Sequence, residues 1–143
     1  MKIPSERHEF PGFTNEAGET LWISTPRTVK EGVLNRMGKK TPEGDGGRTS
    51  NLMLLDLATS WNLDDDDGAL LPLTRTLRLE SFHDQTEADR PEGDSTWQPR
   101  SAEQQLRDAK IAVLEQVPSE VLTTLARKVL TRGANVTERA EGF

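Results

Sequence analysis

The chain has 143 residues and a formal net charge of −6 at pH 7. This acidic balance lacks the concentration of lysine and arginine that grips phosphates, so a nucleic-acid partner is not expected. No apolar run approaches the roughly 20 residues of a membrane-spanning helix, so a membrane partner is not expected either.

Two further features of the composition bear on the class of protein. The chain contains no cysteine, so disulfide and thiolate chemistry are absent and a cytosolic or cytosol-assembled protein is the natural interpretation. Hydrophobic residues make up 33% of the chain and glycine adds 11 residues, which together fall below the roughly 45–50% apolar content of an average domain. The core should therefore be thin, which leaves room for part of it to be shared with a partner.

The length favours a single domain over residues 1–143. Its pattern predicts a mainly α fold: a small helical domain with an N-terminal β-hairpin or extended arm and a C-terminal αα-hairpin. Five parts follow one another along the chain: an arm or hairpin (1–25), central helices with an acidic turn (26–82), a polar loop (83–100), a helical hairpin (101–133) and a tail (134–143).

The first part carries two short apolar patches, residues 10–13 and 21–23, on either side of the turn-rich stretch "TNEAGE". This arrangement is typical of a small β-hairpin or an extended arm. Thr28 and Glu31 then form a capping-box pattern ahead of "VLNRMG". They predict a short amphipathic helix that stops at Gly38.

The most apolar segment, "NLMLLDLATSW" over residues 51–61, predicts a central helix whose buried face includes Trp61. Four consecutive aspartates follow, and the negative C-terminal end of the helix dipole would repel them if the helix continued. The helix should therefore end by Leu63, and Gly68 should supply a positive φ for a solvated acidic turn. The run "ALLPL" then returns to the core, and Pro72 forbids a helix there.

The same aspartates raise the alternative of a calcium loop. With Gly68 at the sixth position of an EF-hand loop, Leu63 occupies the first position and Thr74 the twelfth, where carboxylate ligands are required. No metal and no cofactor are therefore predicted. The only histidines, His8 and His83, lie in polar stretches without a nucleophile pattern. No catalytic residue is assigned, and an enzyme is not expected.

In the second half of the chain, residues 75–82 alternate in a way that hints at a strand, although so short a segment leaves helix and strand open. Residues 83–100 are polar and predict a long loop. Ser101 and Gln104 form a second capping-box pattern before an amphipathic helix, and Pro118 separates it from a second helix that should end at Gly133. These two helices are predicted to pack as the αα-hairpin.

The segment "WNLDDDDGALLPLT" resembles a motif of the tail assembly chaperones of long-tailed bacteriophages. Two other segments, "LWISTPRTVKEGVLNRMG" and "VPSEVLTTLARKVL", are similar to the opening and closing segments of that family. Two features depart from it: Asp64 stands where a hydroxyl residue is expected, and residues 83–100 look like an insertion. The matching positions of the motif are Trp61, Asn62, Leu63, Asp65, Asp67, Gly68, Leu71, Pro72, Leu73 and Thr74.

The resemblance implies a small, non-enzymatic protein that coats the tape measure protein and recruits tail-tube subunits in the host bacterial cytoplasm. It leaves self-association open. The alternative is a permanent virion component, such as a head-tail joining, tail or capsid-decorating protein, which would bind other virion proteins. Under either interpretation the expected motif core for partner binding consists of Trp61, Leu63, Gly68, Leu71, Pro72 and Leu73.

Overall fold

The computed structural model of the chain describes residues 4–30, 32 and 48–141, with the backbone alone for residues 131–141. Within those residues the chain forms three strands and three helices of at least two turns. In chain order these are β1 (Ser5–Thr14), β2 (Thr20–Pro26), α1 (Arg48–Asp56), β3 (Ser60–Trp61), α2 (Ala102–Leu114) and α3 (Ser119–Glu141).

The prediction of a mainly α fold is wrong, because the helices pack with a three-stranded antiparallel sheet in the order β1-β2-β3. The expected N-terminal β-hairpin is confirmed. His8 and Phe10 on β1 and Leu21 and Ile23 on β2 are buried. Because side chains alternate along a strand, these four share the face of the hairpin that packs on the core.

The helix predicted over residues 51–61 is shorter in the structure, and Trp61 lies in a strand. The end of α1 tightens because the amides of Leu57 and Ala58 donate to carbonyls three residues earlier, at 3.1 and 3.0 Å. The chain then joins the free side of β2, where Trp61 lies opposite Ile23. Pairing with a distant strand therefore overrides the helical periodicity of the local sequence.

The core is shared between the sheet and the three helices. Trp61 and the buried residues of β1 and β2 meet apolar side chains that α1, α2 and α3 present from the other side. The largest fully buried hydrophobic side chains are Ile23, Leu54, Leu55, Val121, Leu125 and Val129.

The capping box at the start of α2 is confirmed. The Gln104 amide donates to the Ser101 hydroxyl at 3.1 Å, and the Ser101 amide donates to the Gln104 side chain at 2.9 Å. Over the described residues, however, α2 and α3 each make more extensive contact with α1 than with each other. The predicted αα-hairpin is therefore replaced by two helices that share a central one. The backbone of α3 also continues past Gly133 to Glu141.

Residues 75–82 do not form the strand that their alternation hinted at. They contain short 3-10 turns, Thr74–Thr76 and Leu79–Ser81, with extended residues between them. The helix predicted from Thr28 to Gly38 falls mostly outside the described residues.

Residues 83–100 form a loop whose two ends are tied together. The Gln85 amide donates to the Arg100 carbonyl at 2.9 Å, and the Asp84 carboxylate accepts from the Ala102 amide at the start of α2 at 2.8 Å. A carboxylate at that place satisfies a helix-terminal N–H and complements the helix dipole. The loop is thus attached to α2.

Within this loop the Arg90 guanidinium donates to the Glu87 carboxylate at 2.9 Å and lies 5.4 Å from the centre of the Trp97 ring. The hydrogen bond from Arg90 lowers the pKa of Glu87 below its usual range. The same contact raises the pKa of Arg90.

Candidate functional site

The motif from Trp61 to Thr74 folds back on itself as a short antiparallel arch, which we name the acidic hairpin (residues 61–74). The Leu71 amide donates to the Leu63 carbonyl at 2.9 Å. Nearer the tip, the Asp65 amide donates to the Ala69 carbonyl at 2.9 Å, and Gly68 has φ of +82°. The expected positive φ at this glycine is confirmed, and it allows the chain to reverse at little steric cost.

The base of the acidic hairpin is anchored in the core. Trp61 is only 5% exposed, and Leu63 and Leu71 are buried beside it. The Trp61 indole Nε1 donates to the Leu71 carbonyl at 2.8 Å. One side chain therefore fills the core and also joins the two arms, which satisfies its single polar atom.

Asn62 ties the hairpin to the edge of β2. Its side-chain oxygen accepts from the Trp22 amide at 2.8 Å, and its side-chain NH₂ donates to the Thr20 carbonyl at 2.9 Å. Its own carbonyl accepts from the side chain of Asn15 at 3.1 Å. An amide side chain is needed here because it offers both a donor and an acceptor to the strand edge.

Two of the four aspartates, Asp64 and Asp65, accept hydrogen bonds from backbone amides. Both carboxylate oxygens of Asp64 accept from the Glu16 amide at 3.0 Å, which fixes the turn between β1 and β2. Asp65 Oδ1 accepts from the amides of Asp67 and Ala69 at 2.9 and 3.0 Å, which organises the tip. Asp66 and Asp67 are exposed, as expected of a solvated acidic turn, whereas Asp64 and Asp65 are half-buried and their carboxylates hold backbone N–H groups.

The far end of the hairpin is held by a chain of polar contacts. Thr74 is fully buried, and its hydroxyl donates to Asp56 Oδ1 at 2.7 Å. The other oxygen of Asp56 lies 3.1 Å from the Lys110 amine. Because Asp56 ends α1 and Lys110 lies on α2, this contact links both helices to the hairpin.

One side of the hairpin remains open to solvent. Leu70 is 67% exposed, the largest exposure among the large hydrophobic residues that the structure describes as exposed. Three further residues of the hairpin are exposed: Asp66, Asp67 and Pro72. We name these four residues the outer face. It combines an exposed apolar side chain and a proline with two exposed carboxylates of the same hairpin.

The structure brings the six predicted motif residues into this one hairpin but separates their roles. Trp61, Leu63 and Leu71 are buried, and Leu73 is half-buried, so these residues form the frame. Of the six, only Gly68 and Pro72 are exposed, and partner contact by any of the six stays a prediction. Leu70 was not selected from the sequence. The alternation of "ALLPL" was the available signal, since a buried Leu71 turns both neighbours outward.

The two histidines have different environments. His8 is not in the polar surroundings expected for it: it is 4% exposed, and its Nε2 lies 2.9 Å from the Thr25 hydroxyl. His83 is exposed, and its carbonyl accepts from the Gln105 side chain at 2.6 Å. Among the side chains that the structure describes, those of residues 4–30, 32 and 48–130, no three His, Asp or Glu groups converge as a metal site would require.

Comparisons with known protein families, with characterised proteins and with solved structures give no match. In the part of the chain that the structure describes, no helix combines the length and the apolar character needed to cross a membrane. Inferences about function therefore rest on the residues of this chain and on the resemblance carried by the acidic hairpin.

Proposed function

We propose that the chain is a non-catalytic phage tail assembly protein that binds the tape measure protein and tail-tube subunits in the host cytoplasm. The observation that carries this proposal is the form of the motif. Nearly every residue at the positions that resemble the chaperone motif either packs in the core or forms hydrogen bonds that hold one hairpin. This hairpin leaves Leu70 exposed to solvent. A motif of this kind specifies a rigid, exposed contact point.

Rigidity matters because an ordered binding element loses little conformational entropy on association. The outer face is held by Trp61 at its base, by Asp65 at its tip and by Thr74 at its exit. Burying the exposed part of Leu70 would contribute about 1–2 kcal/mol to binding. The neighbouring carboxylates of Asp66 and Asp67 favour a partner surface that is apolar at its centre and basic at its rim.

The proposal is tested by co-expressing the chain with the tape measure protein and the tail-tube protein of the same phage, followed by calorimetry on the purified complex. We expect Leu70→Ser to weaken the complex by about tenfold, which corresponds to about 1.4 kcal/mol. Leu79→Ser is the matched control, because Leu79 is also exposed, at 43%, but lies outside the hairpin.

If Leu70→Ser leaves binding unchanged, or if both variants weaken binding equally, the outer face is not part of the interface. If the unaltered chain binds neither tail protein, the proposal itself fails. Quantitative mass spectrometry of purified virions then separates an assembly factor from a permanent component. An assembly factor should be absent from the particles, whereas a permanent component should be present in a fixed ratio to the tail-tube protein.

A further inference from the structure

The outer edge of β1 is a strand edge with no neighbour among the described residues, since β1 is the terminal strand of the sheet. The direction of its backbone groups follows from one contact. The Pro4 carbonyl accepts from the Arg27 amide at 2.9 Å, so position 4 faces β2. Backbone groups alternate along an antiparallel strand. The backbone N–H and C=O groups therefore point towards β2 at Glu6, His8 and Phe10. At the residues between them these groups point outward.

The outward-facing positions are Ser5, Arg7 and Glu9. All three are exposed, and their N–H and C=O groups form a short edge that no described residue pairs with. Contacts on the other side of β2 agree with this alternation, since the carbonyls of Trp22 and Ser24 face β3 and accept from its neighbouring amides. A free edge of this kind can pair with another strand.

The charges along this edge decide which strand fits. If β1 met a second β1 in antiparallel fashion with His8 opposite His8, Arg7 of each copy would lie directly opposite Glu9 of the other. Residues directly opposite have Cβ atoms about 4.5–5.5 Å apart, and opposite charges there are favourable. A register shifted towards the N-terminus places Arg7 opposite Arg7, and one shifted the other way places Glu9 opposite Glu9. Both shifted registers bring like charges together.

We propose that the chain forms a symmetric dimer in which the β1 edges of two copies pair in this register and make one six-stranded sheet. The two Arg7–Glu9 positions are hydrogen-bonding pairs, and they contribute about four backbone hydrogen bonds in addition to two ion pairs. Pro11 ends the ladder because it lacks an N–H. This dimer does not depend on the proposed function, and either could fail alone.

Arg7 lies on the solvent face of the sheet, which is the face that this contact requires. Its guanidinium stacks over the Trp22 ring at 3.8 Å on the solvent side of the sheet. The stacking restricts the side chain to the face on which Glu9 of the second copy would lie. Because Trp22 belongs to β2, the guanidinium must turn from this ring towards the opposite edge of β1 to form the ion pair.

Sedimentation velocity over a concentration series at low salt tests the dimer. We expect the unaltered chain to dimerise, and we expect Arg7→Glu and Glu9→Arg each to raise the dimer dissociation constant at least about tenfold, because each creates two like-charge pairs. The double variant Arg7→Glu/Glu9→Arg should restore dimerisation, since it exchanges the charges across the same register. Glu103→Arg and Arg127→Glu make the same changes in net charge at exposed sites on α2 and α3 and should have no effect.

Amide hydrogen exchange supplies a readout of the register. In the dimer the amides of Arg7 and Glu9 should be protected, whereas dilution should expose both and leave the inward-facing His8 amide protected. Circular dichroism checks that each variant is folded. Glu9→Arg retains the stacking of Arg7 on Trp22, so its result does not depend on that contact. A chain that stays monomeric up to about 1 mM, a dimer that neither single variant weakens, or a double variant that fails to dimerise would overturn the proposal.

Discussion

Trp61 offers the sharpest test of how the acidic hairpin is held. The side chain is 5% exposed, and its Nε1 donates to the Leu71 carbonyl at 2.8 Å. We expect Trp61→Ala to lower the free energy of unfolding by about 3–5 kcal/mol, the range for removing a large buried aromatic side chain. That loss is a large fraction of the about 5–15 kcal/mol that stabilises a typical domain.

Trp61→Phe separates the two parts of this effect. Phenylalanine retains most of the apolar packing but cannot donate to the Leu71 carbonyl, so we expect a smaller loss of about 1–2 kcal/mol from the unsatisfied acceptor and the reduced ring volume. Urea unfolding followed by circular dichroism measures both variants. A loss below about 1 kcal/mol for Trp61→Ala would refute the view that this ring anchors the hairpin.

Three further outcomes test individual contacts. Asp65→Ala should lower stability by about 1 kcal/mol, whereas Asp65→Asn, which keeps the Oδ1 acceptor, should be close to neutral in thermal melts; equal losses would contradict the assigned role of Oδ1. Thr74→Val should cost about 1–2 kcal/mol in urea unfolding because it removes the hydroxyl that donates to Asp56, and a neutral result would show that this contact contributes nothing. In an NMR titration, Glu87 should titrate below its usual range and Arg90→Gln should return its pKa towards normal. Since folding lowers the pKa of Glu87, any stability from this exposed pair is present at neutral pH and lost as the pH falls through the pKa of the folded state. An unchanged Glu87 titration in the variant would exclude Arg90 as the cause.

Local signals in the sequence predicted local features correctly. Ser101 and Gln104 have the spacing of a capping box, and they form one. The glycine that follows the aspartates takes a positive φ. In both cases the interaction is completed within a few residues, so the information needed to predict it lies in the same short stretch of sequence.

Features that depend on distant residues were missed. The end of α1 before Trp61 requires the free side of β2. The roles of Asn62 and Asp64 require backbone groups that lie 40 and 48 residues away, at Trp22 and Glu16. Nothing in the local pattern shows which backbone groups will need a partner. The burial of His8 was easier to predict. His8 lies two residues before Phe10 and therefore shares its face of the strand, which is the face that packs with Leu21.

In the candidate site, too, the sequence predicted some features correctly and missed others. The apolar frame of the hairpin follows from the motif, but the exposed Leu70 could be recognised only once the direction of Leu71 was known. A sequence pattern reports that residues occur together without distinguishing those that build a surface from those that lie on it. The outer face therefore emerged from the geometry of the hairpin.

The most direct test of the central claim is affinity purification of the tagged chain from infected cells while tails are being assembled. The account predicts that the tape measure protein co-purifies with the unaltered chain and is depleted when Leu70→Ser replaces it, while Leu79→Ser behaves like the unaltered chain. Recovery of the chain without any tail protein, or equal recovery with Leu70→Ser, would contradict the claim that the acidic hairpin presents a binding surface for tail assembly.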